Sequence, residues 1–293
     1  MQLSRIGVWY FTESLTAAQA AEAAQRIESL GYGALWIPEA FGRHPFAHAA
    51  WLLAKTERLI VATGIANIYA RDAAASAAAQ KTLAEQSNGR FLLGLGVSHR
   101  PMVEAVRGHV YASPVATMRA YLEGMEKAAY AAVRPAEKPP TVLAALGPQM
   151  LKLAATKTQG AHPYFTTPEH TAMARKVMGP EAWLCVEQKV LLESDPVKAR
   201  QLARLTAGMY LGLENYRNNW KRTGFADSDF ENGGSDRFID ATIAWGEIEV
   251  LQKRVQAHFD AGASHVCIQP INPSGMPVPD WNVLEALAPG RAS

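Results

Sequence analysis

Polar and aromatic side chains that could do chemistry follow directly on short apolar runs at several points of this sequence. The set consists of Trp9, Tyr10, Glu39, Asn67, Arg71, Ser98, His99, Arg100, Gly147, Thr166 and Thr167. A histidine or a carboxylate can exchange a proton with a reacting group, and a helix start with free backbone N–H groups can hold an anion. The spacing matches no metal-ligand set, no G-x-S-x-G elbow, no P-loop and no dinucleotide-binding glycine fingerprint. Hydrolase, P-loop and Rossmann functions therefore lose support, and no metal site is predicted.

Short apolar runs alternate with amphipathic stretches along the chain, which predicts alternating strands and helices. The predicted strands are residues 5–9, 34–37, 59–66, 91–95, 142–145, 161–165, 183–191 and 265–269, and the predicted helices are 16–30, 73–87, 150–156, 169–178, 196–210 and 247–261. Repeated strand–helix units give parallel strands with right-handed crossovers. Eight such units favour a (β/α)8 TIM barrel, whose site lies at the C-terminal ends of the strands.

The connection between the seventh and eighth predicted strands is much longer than one crossover needs. It runs through residues 215–220 (NYRNNW) and 231–236 (ENGGSD) before the last predicted helix. We therefore predict a helical insertion at this point. Because no repeat, low-complexity tract or linker divides the chain, we expect a single domain over residues 1–293.

The composition limits the partners of this chain. Lys and Arg exceed Asp and Glu by only two, 29 against 27, and the charges are scattered, so we expect no nucleic-acid partner. No stretch approaches the roughly 20 apolar residues of a membrane span, so we expect no membrane contact and a cytoplasmic location. Cys185 and Cys267 each lie in an apolar run, which favours buried hydrophobic residues over a redox role.

Several segments resemble successive signatures of the luciferase-like flavin and deazaflavin oxidoreductases. They are residues 35–39 (LWIPE), 61–67 (VATGIAN), 69–71 (YAR) and 87–99 (SNGRFLLGLGVSH), in the order and spacing of that family. Residues 146–155 (LGPQMLKLAA) and 160–170 (GAHPYFTTPEH) are similar to its F420-dependent branch. The resemblance covers nearly the whole chain. It implies a barrel that binds a flavin-type cofactor, with the deazaflavin coenzyme F420 favoured over FMN.

In that family the cofactor ring lies against a bulge after strand three, which often includes a non-prolyl cis peptide bond. The matching segment is residues 63–67, so the resemblance implies that Gly64, Ile65, Ala66 and Asn67 contact the cofactor. Asn67 can donate and accept hydrogen bonds, which suits the edge of such a ring. An ordinary structural role stays open for two of these residues. Gly64 could relieve crowding inside a strand, and Asn67 could stabilise a turn.

Glu39 matches the acidic position that contacts the cofactor in the F420-dependent relatives, so the resemblance implies a binding and catalytic role. A loop salt bridge, with Arg43 as a candidate partner, is the alternative. The relatives commonly have a histidine next, as a proposed proton donor, but this sequence has Ala40. His44 and His48 are close enough in sequence to replace it, although a histidine near a helix start is more often structural.

His99 falls where some F420-dependent enzymes place a catalytic glutamate, and we predict that it is the acid/base group. The preceding Ser98 would present its hydroxyl to the cofactor or substrate. A histidine satisfied by the backbone at a helix entry is the alternative. Trp9 could form an aromatic wall of the site at the strand ends or belong to the barrel core. Arg71 could bind a cofactor tail or be a loop charge.

An anion such as a cofactor phosphate suits the start of a helix, where free backbone N–H groups and the helix dipole attract it. Gly147 and Pro148 have this form, because a glycine precedes a proline suited to the first helical position. Thr166 and Thr167 repeat the arrangement with added hydroxyl groups. Ordinary helix capping stays open as an alternative for both.

The function implied by the resemblance is reversible hydride transfer between the deazaflavin and a small organic substrate, such as an alcohol, a carbonyl compound or an activated alkene. The alternative is an FMN-dependent monooxygenase that receives reduced flavin from a partner reductase and uses O2. A non-catalytic cofactor-binding barrel is an alternative of another class, because Ala40 replaces the expected histidine. The resemblance is also consistent with a homodimer.

Overall fold

The computed structural model describes residues 1–289, and its centre is a closed barrel of parallel strands. The strands are β1 (Ile6–Trp9), β2 (Ala34–Ile37), β3 (Ile60–Thr63), β4 (Ala66–Asn67), β5 (Phe91–Gly96), β6 (Thr141–Leu143), β7 (Gly160–Ala161), β8 (Trp183–Leu192), β9 (Ile243–Gly246) and β10 (His265–Pro270). Pairing runs β1–β2–β3–β5–β6–β7–β8–β10 and closes from β10 to β1. Strand β4 continues the wall after β3 by pairing with β5. The predicted eight-stranded TIM barrel is confirmed.

Helices connect the strands on the outside of the barrel. They are α1 (Ala17–Ser29), α2 (Pro45–Lys55), α3 (Ala73–Gln86), α4 (Pro114–Lys127), α5 (Pro148–Lys157), α6 (Pro168–Met178), α7 (Pro196–Leu211), α8 (Glu214–Arg222), α9 (Asp236–Thr242), α10 (Ile248–Asp260) and α11 (Trp281–Ala286), with a π-helical turn at Met102–Val106 and a 3-10 turn at Asp227–Phe230. Five of them begin with proline, whose fixed φ suits the first helical position. Among residues 1–289, no helix has both the length and the apolar content needed to cross a bilayer.

Side chains alternate between the barrel interior and the helical layer, because successive residues of a strand point to opposite faces. Trp36, Leu92 and Cys185 pack together inside the barrel, whereas neighbours such as Leu35 pack against the helices. On β8 the interior face continues from Cys185 to positions 187 and 189, which are a glutamate and a lysine. Charged side chains therefore enter the upper part of the barrel.

The insertion between β8 and β10 packs around its own aromatic cluster. Trp220 and Phe238 are fully buried there, and Trp220 Nε1 donates to the carbonyl oxygen of Phe165, 3.0 Å away. This bond and the surrounding aromatic contacts attach the insertion to the loop after β7.

Three predicted elements differ from the structure in kind or by more than two residues at one end, and the others agree within two residues. The strand predicted over residues 59–66 is wrong at its end, because the wall breaks between β3 and β4. The strand predicted over 161–165 ends at Ala161, and Phe165 has a positive φ of 56°. The insertion is not wholly helical, since β9 pairs in parallel with the end of β8. Long-range backbone pairing sets β9, and four residues carry too little local pattern to indicate it.

Candidate functional site

The barrel wall breaks at a bulge formed by residues 63–67. The peptide bond Gly64–Ile65 is cis, as expected for this segment. Thr63 Oγ1 donates to Gly94 O at 2.7 Å and accepts from Gly94 N at 2.8 Å, so a side chain replaces the strand ladder there. A Cβ at Gly94 would lie 2.0 Å from the carbonyl oxygen of Thr63, which means that only a glycine lets the two strands approach this closely.

Two further glycines make room for the bulge. A Cβ at Gly96 would lie 2.5 Å from Ile65 Cδ1, and a Cβ at Gly64 would lie 2.6 Å from Trp9 Nε1. Trp9 Nε1 donates to Gly64 O at 2.9 Å. Gly64 therefore does relieve crowding, and it does so within the bulge. The contribution of Gly96 could not be predicted from the sequence, because two glycines one residue apart are too short a pattern to indicate a packing role.

Glu39 holds the bulge from the end of β2. Its backbone N–H donates to Ile65 O at 3.2 Å, and its carboxylate accepts from Asn67 N at 2.7 Å and from the two Nη atoms of Arg71 at 2.9 and 2.5 Å. The side chains of Glu39 and Arg71 are only 8% and 9% exposed. Glu39 does form a salt bridge, but the suggested partner, Arg43, is wrong. Arg71 is thus an ion-pair partner and not a free loop charge.

Asn67 divides its side chain between two environments. Its Oδ1 accepts from Tyr69 N at 2.9 Å, which is the turn-stabilising contact considered from the sequence. Its Nδ2 makes no hydrogen bond with any residue of the described range 1–289. The amide therefore keeps a donor that a ligand over the bulge could use.

The two histidines considered as substitutes for the one missing at position 40 make other contacts. The two ring nitrogens of His48 lie 2.9 Å from Thr12 Oγ1 and 3.2 Å from Arg43 Nη1. Burial, and then the charge of Arg43, lowers the pKa of His48 to about 4. His44 is exposed and caps α2, where it accepts a backbone N–H at 3.4 Å. Neither imidazole hydrogen-bonds to the bulge or to Glu39 within residues 1–289.

His99 lies just beyond β5, after Ser98, which has a positive φ of 57°. Its Nδ1 is 3.0 Å from Oδ1 of Asn215 on α8. Burial lowers the pKa of His99, and the bond to Asn215 opposes part of that shift. The imidazole is bound by a side chain from the insertion, so the alternative of a ring satisfied by the backbone is wrong. The Ser98 hydroxyl makes no hydrogen bond within the described part of the chain.

A buried ion pair lies in the upper barrel, and sequence reasoning missed it. Lys189 Nζ is 3.2 Å from Glu187 Oε2, and both side chains are fully buried. Burial lowers the pKa of Lys189 to about 8 and raises the pKa of Glu187. The opposite charge of each partner opposes these two shifts. Lys189 Nζ also lies 3.8 Å from the ring centroid of Tyr164. The signal in the sequence was two charges spaced two residues apart in an apolar strand, which places both on one face.

Aromatic rings connect the bulge with His99. Trp9, which bonds to the bulge, lies 4.9 Å from Tyr164, measured between ring centroids. Tyr164 lies 6.4 Å from Tyr216, and Tyr216 lies 5.6 Å from the imidazole of His99. The Tyr164 hydroxyl is 2.8 Å from that of Tyr210. Ring contacts therefore link the bulge to His99 through Trp9, which is buried, and through the tyrosines.

The start of α5 has the form of an anion site. Gly147 precedes Pro148, and no side chain among the described residues caps the helix. The guanidinium of Arg222 on α8 lies 3.6 Å from where a Cβ of Gly147 would be. Free backbone N–H groups beside a cation attract an anion. Arg222 could not be predicted here, because it reaches α5 only through the fold of the insertion.

The start of α6 combines an ordinary cap with unpaired polar atoms. Thr167 Oγ1 accepts from His170 N at 3.4 Å, so it caps the helix. His170 Nε2 donates to Leu146 O at 2.9 Å. In the part of the chain that the structure describes, Thr166 Oγ1 and His170 Nδ1 are buried without a hydrogen-bond partner. Burying polar atoms in this way is costly, so a ligand or water is expected beside them.

Known proteins share segments of this sequence. A putative coenzyme F420-dependent oxidoreductase of Mycobacterium tuberculosis is 34% identical over 103 residues, which cover 35% of this chain and 30% of that protein. The 5,10-methylenetetrahydromethanopterin reductase of Methanolobus tindarius is 29% identical over 168 residues, 51% of each chain. The chain thus matches about a third to a half of the length of these relatives.

Solved structures share its fold over nearly the whole length. An F420-dependent secondary alcohol dehydrogenase in complex with an F420–acetone adduct is 17% identical, with a TM-score of 0.76 over 97% of both chains. The oxygenating constituent of 3,6-diketocamphane monooxygenase of Pseudomonas putida, in complex with FMN, is 15% identical, with a TM-score of 0.72 over 97% of this chain and 96% of the other. The family model described as luciferase-like monooxygenase matches residues 1–265. The chain therefore belongs to the luciferase-like monooxygenase family.

Proposed function

We propose that this chain is a coenzyme F420-dependent oxidoreductase that moves a hydride between the deazaflavin and an alcohol, a carbonyl compound or an activated alkene. The observation that carries the proposal is the bulge of residues 63–67, where Asn67 keeps an amide donor that no described residue uses, at the end of the barrel that also carries His99. The F420-dependent enzymes among the relatives and structural neighbours support the choice of cofactor.

The residues proposed to hold the cofactor lie at the bulge, just after β2 and β5, and at the starts of α5 and α6. They are Glu39, Gly64, Ile65, Ala66, Asn67, Ser98, His99, Gly147, Pro148, Thr166 and Thr167. Polar atoms in this group fit a flat ring with a phosphate tail. Asn67 Nδ2 and the Ser98 hydroxyl are unused donors near the bulge, and Thr166 Oγ1 is buried and unpaired within residues 1–289. Arg222 adds a positive charge beside α5.

When bound, the deazaflavin would supply the carbon that accepts or releases the hydride. His99, which burial keeps neutral near pH 7, takes the proton from the substrate oxygen or returns it. Glu39 is assigned a positioning role, because its carboxylate already binds Asn67 N and Arg71. His44 caps α2 at the surface and has no role in this proposal.

An FMN-dependent monooxygenase is the second candidate function. The family description and the FMN complex among the structural neighbours favour it, as does Ala40 where F420-dependent relatives commonly have histidine. It would need O2 and a reductase that supplies reduced FMN. That reductase, a homodimer, a cytoplasmic location and a single domain stay predictions, and residues 290–293 of that domain lie outside the described range.

A binding titration separates these candidates. The purified protein is titrated with oxidised F420 and, separately, with oxidised and reduced FMN, while the visible spectrum and fluorescence are recorded. We expect selective binding of F420. Preference for reduced FMN would support the monooxygenase, and binding of neither would refute the cofactor assignment. If F420 binds but no alcohol, carbonyl compound or alkene turns over, the non-catalytic barrel is favoured.

Matched glycine variants locate the binding site. Gly64→Ala places a Cβ 2.6 Å from Trp9 Nε1, whereas Gly208→Ala on α7 meets nothing within 4 Å. We expect the first to weaken F420 binding at least about tenfold, which corresponds to ~1.4 kcal/mol. The second should leave it unchanged. Equal affinities for both variants would place the ring away from the bulge.

A further inference from the structure

Asn215 is the side chain that meets the imidazole of His99, from 116 residues away in the sequence. Its Oδ1 lies 3.0 Å from His99 Nδ1. An amide oxygen can only accept a hydrogen bond, so Nδ1 must carry the proton in the neutral ring. The other nitrogen, Nε2, then holds a lone pair. Within residues 1–289, Nε2 has no hydrogen-bond partner, and it stays accessible to solvent.

We propose that Asn215 is a positioning residue that fixes His99 in the Nδ1-protonated tautomer, so that Nε2 is the base that receives a proton from a substrate hydroxyl. The proposal rests on the proposed function, since it deepens the acid/base role of His99. In alcohol oxidation the O–H bond breaks as an Nε2–H bond forms, and the O–H electron pair becomes the second carbonyl bond. The hydride leaves the same carbon for the deazaflavin, which is reduced as the alcohol is oxidised.

The surroundings of His99 suit a neutral base. Its ring lies 5.6 Å from that of Tyr216, and the charged side chains next to His99 and Asn215 in sequence are paired with another residue or exposed. Arg100 Nη1 bonds to Glu104 at 2.8 Å, and its guanidinium lies over Tyr111. Glu214, which precedes Asn215, is exposed. A neutral amide orients the imidazole and stabilises its protonated form less than a carboxylate would.

The position of Asn215 does not depend on His99. The helix α8 is held by Trp220, which is fully buried and bonds to Phe165 O. Asn215 itself is exposed at the first turn of α8. Substituting its amide should therefore leave the fold intact, and Asn218, which is exposed on the same helix, offers a control.

The first test uses the protein without cofactor. Imidazole 15N chemical shifts give the tautomer and the pKa of His99 in the unaltered protein, in Asn215→Leu, in Asn215→Asp and in the control Asn218→Leu, with His99→Gln to assign the signal. We expect the Nδ1–H form in the unaltered protein and in the control. Asn215→Leu should shift the population towards Nε2–H, and Asn215→Asp should raise the pKa by about one unit or more. An Nε2–H ring in the unaltered protein, or no change in Asn215→Leu, would overturn the proposal.

Steady-state kinetics with F420 then separate this proposal from the proposed function. Asn215→Leu should lower kcat about tenfold or more with little change in KM, and Asn215→Asp should move the acidic limb of the kcat/KM profile to higher pH. If the spectra behave as expected but no substrate turns over, Asn215 positions His99 and the proposed oxidoreductase function fails. If turnover occurs and Asn215→Leu keeps full kcat with an unshifted pH profile, the base role assigned to Nε2 fails.

Discussion

At Glu39 one carboxylate binds three donors, a backbone N–H of the bulge and two guanidinium nitrogens of Arg71. The side chains of Glu39 and Arg71 are both more than nine-tenths buried. Removing one member of a buried ion pair leaves the other charge uncompensated, which is strongly destabilising. We therefore predict that Glu39→Gln lowers the free energy of unfolding by about 3–5 kcal/mol, measured by urea denaturation.

The exposed pair of Glu57 and Arg58 provides the matched control. Its charges are 3.7 Å apart, and the side chains of Arg58 and Glu57 are 73% and 86% exposed. Glu57→Gln should change stability by less than about 1 kcal/mol. If Glu39→Gln and Glu57→Gln lower the free energy of unfolding equally, the Glu39 carboxylate does not hold the bulge.

On the scale of elements, β5 accepts the bulge because it has glycine at positions 94 and 96. A Cβ at Gly94 meets a backbone carbonyl at 2.0 Å, whereas a Cβ at Gly96 meets the flexible end of Ile65 at 2.5 Å. Backbone cannot move aside as a side chain can. We predict that Gly94→Ala costs about 3 kcal/mol or more and Gly96→Ala about 1–3 kcal/mol. Thermal and urea unfolding would measure both, with Gly208→Ala expected to be neutral or slightly stabilising.

Local signals account for the elements that could be predicted from the sequence. Helix α1 has its capping box at Thr16 and Gln19, and the apolar runs of the barrel strands need no tertiary information. The break between β3 and β4 carries no such signal, and only the family resemblance indicated it. Strand β9 depends on pairing with β8. The same limit applies to the site, because Asn215 and Arg222 reach it through the fold of the insertion and not through their neighbours in sequence.

On the scale of the whole molecule, histidine is buried at five places, some inside the barrel beside Trp36 and others among the surrounding helices and loops. Burial lowers the pKa of His48, His162, His170 and His265 to about 4 and that of His258 to about 3. In the unfolded chain these groups titrate near 6.5. The unfolded state thus binds more protons than the folded state between about pH 6.5 and pH 4. Stability from these groups is complete above pH 6.5 and is lost as the pH falls towards 4.

Three carboxyl groups oppose this loss. Burial raises the pKa of Glu13, Glu187 and Asp280, so they take up protons while the protein is still folded. The five histidines outnumber these three carboxyl groups. The net proton uptake on unfolding should therefore stay positive near pH 5.

We predict that the free energy of unfolding falls steeply from pH 6.5 to pH 4, by ~1.4 kcal/mol per pH unit for each extra proton that the unfolded chain binds. Urea denaturation at half-unit pH steps, with calorimetric proton uptake near pH 5, would measure it. His258 binds Thr171 Oγ1 and Gln188 Oε1, each at 2.8 Å, so a neutral ring satisfies both partners. His258→Gln should reduce the uptake by about one proton. A stability curve that is flat from pH 6.5 to pH 5 would mean that these imidazoles are protonated within the folded barrel.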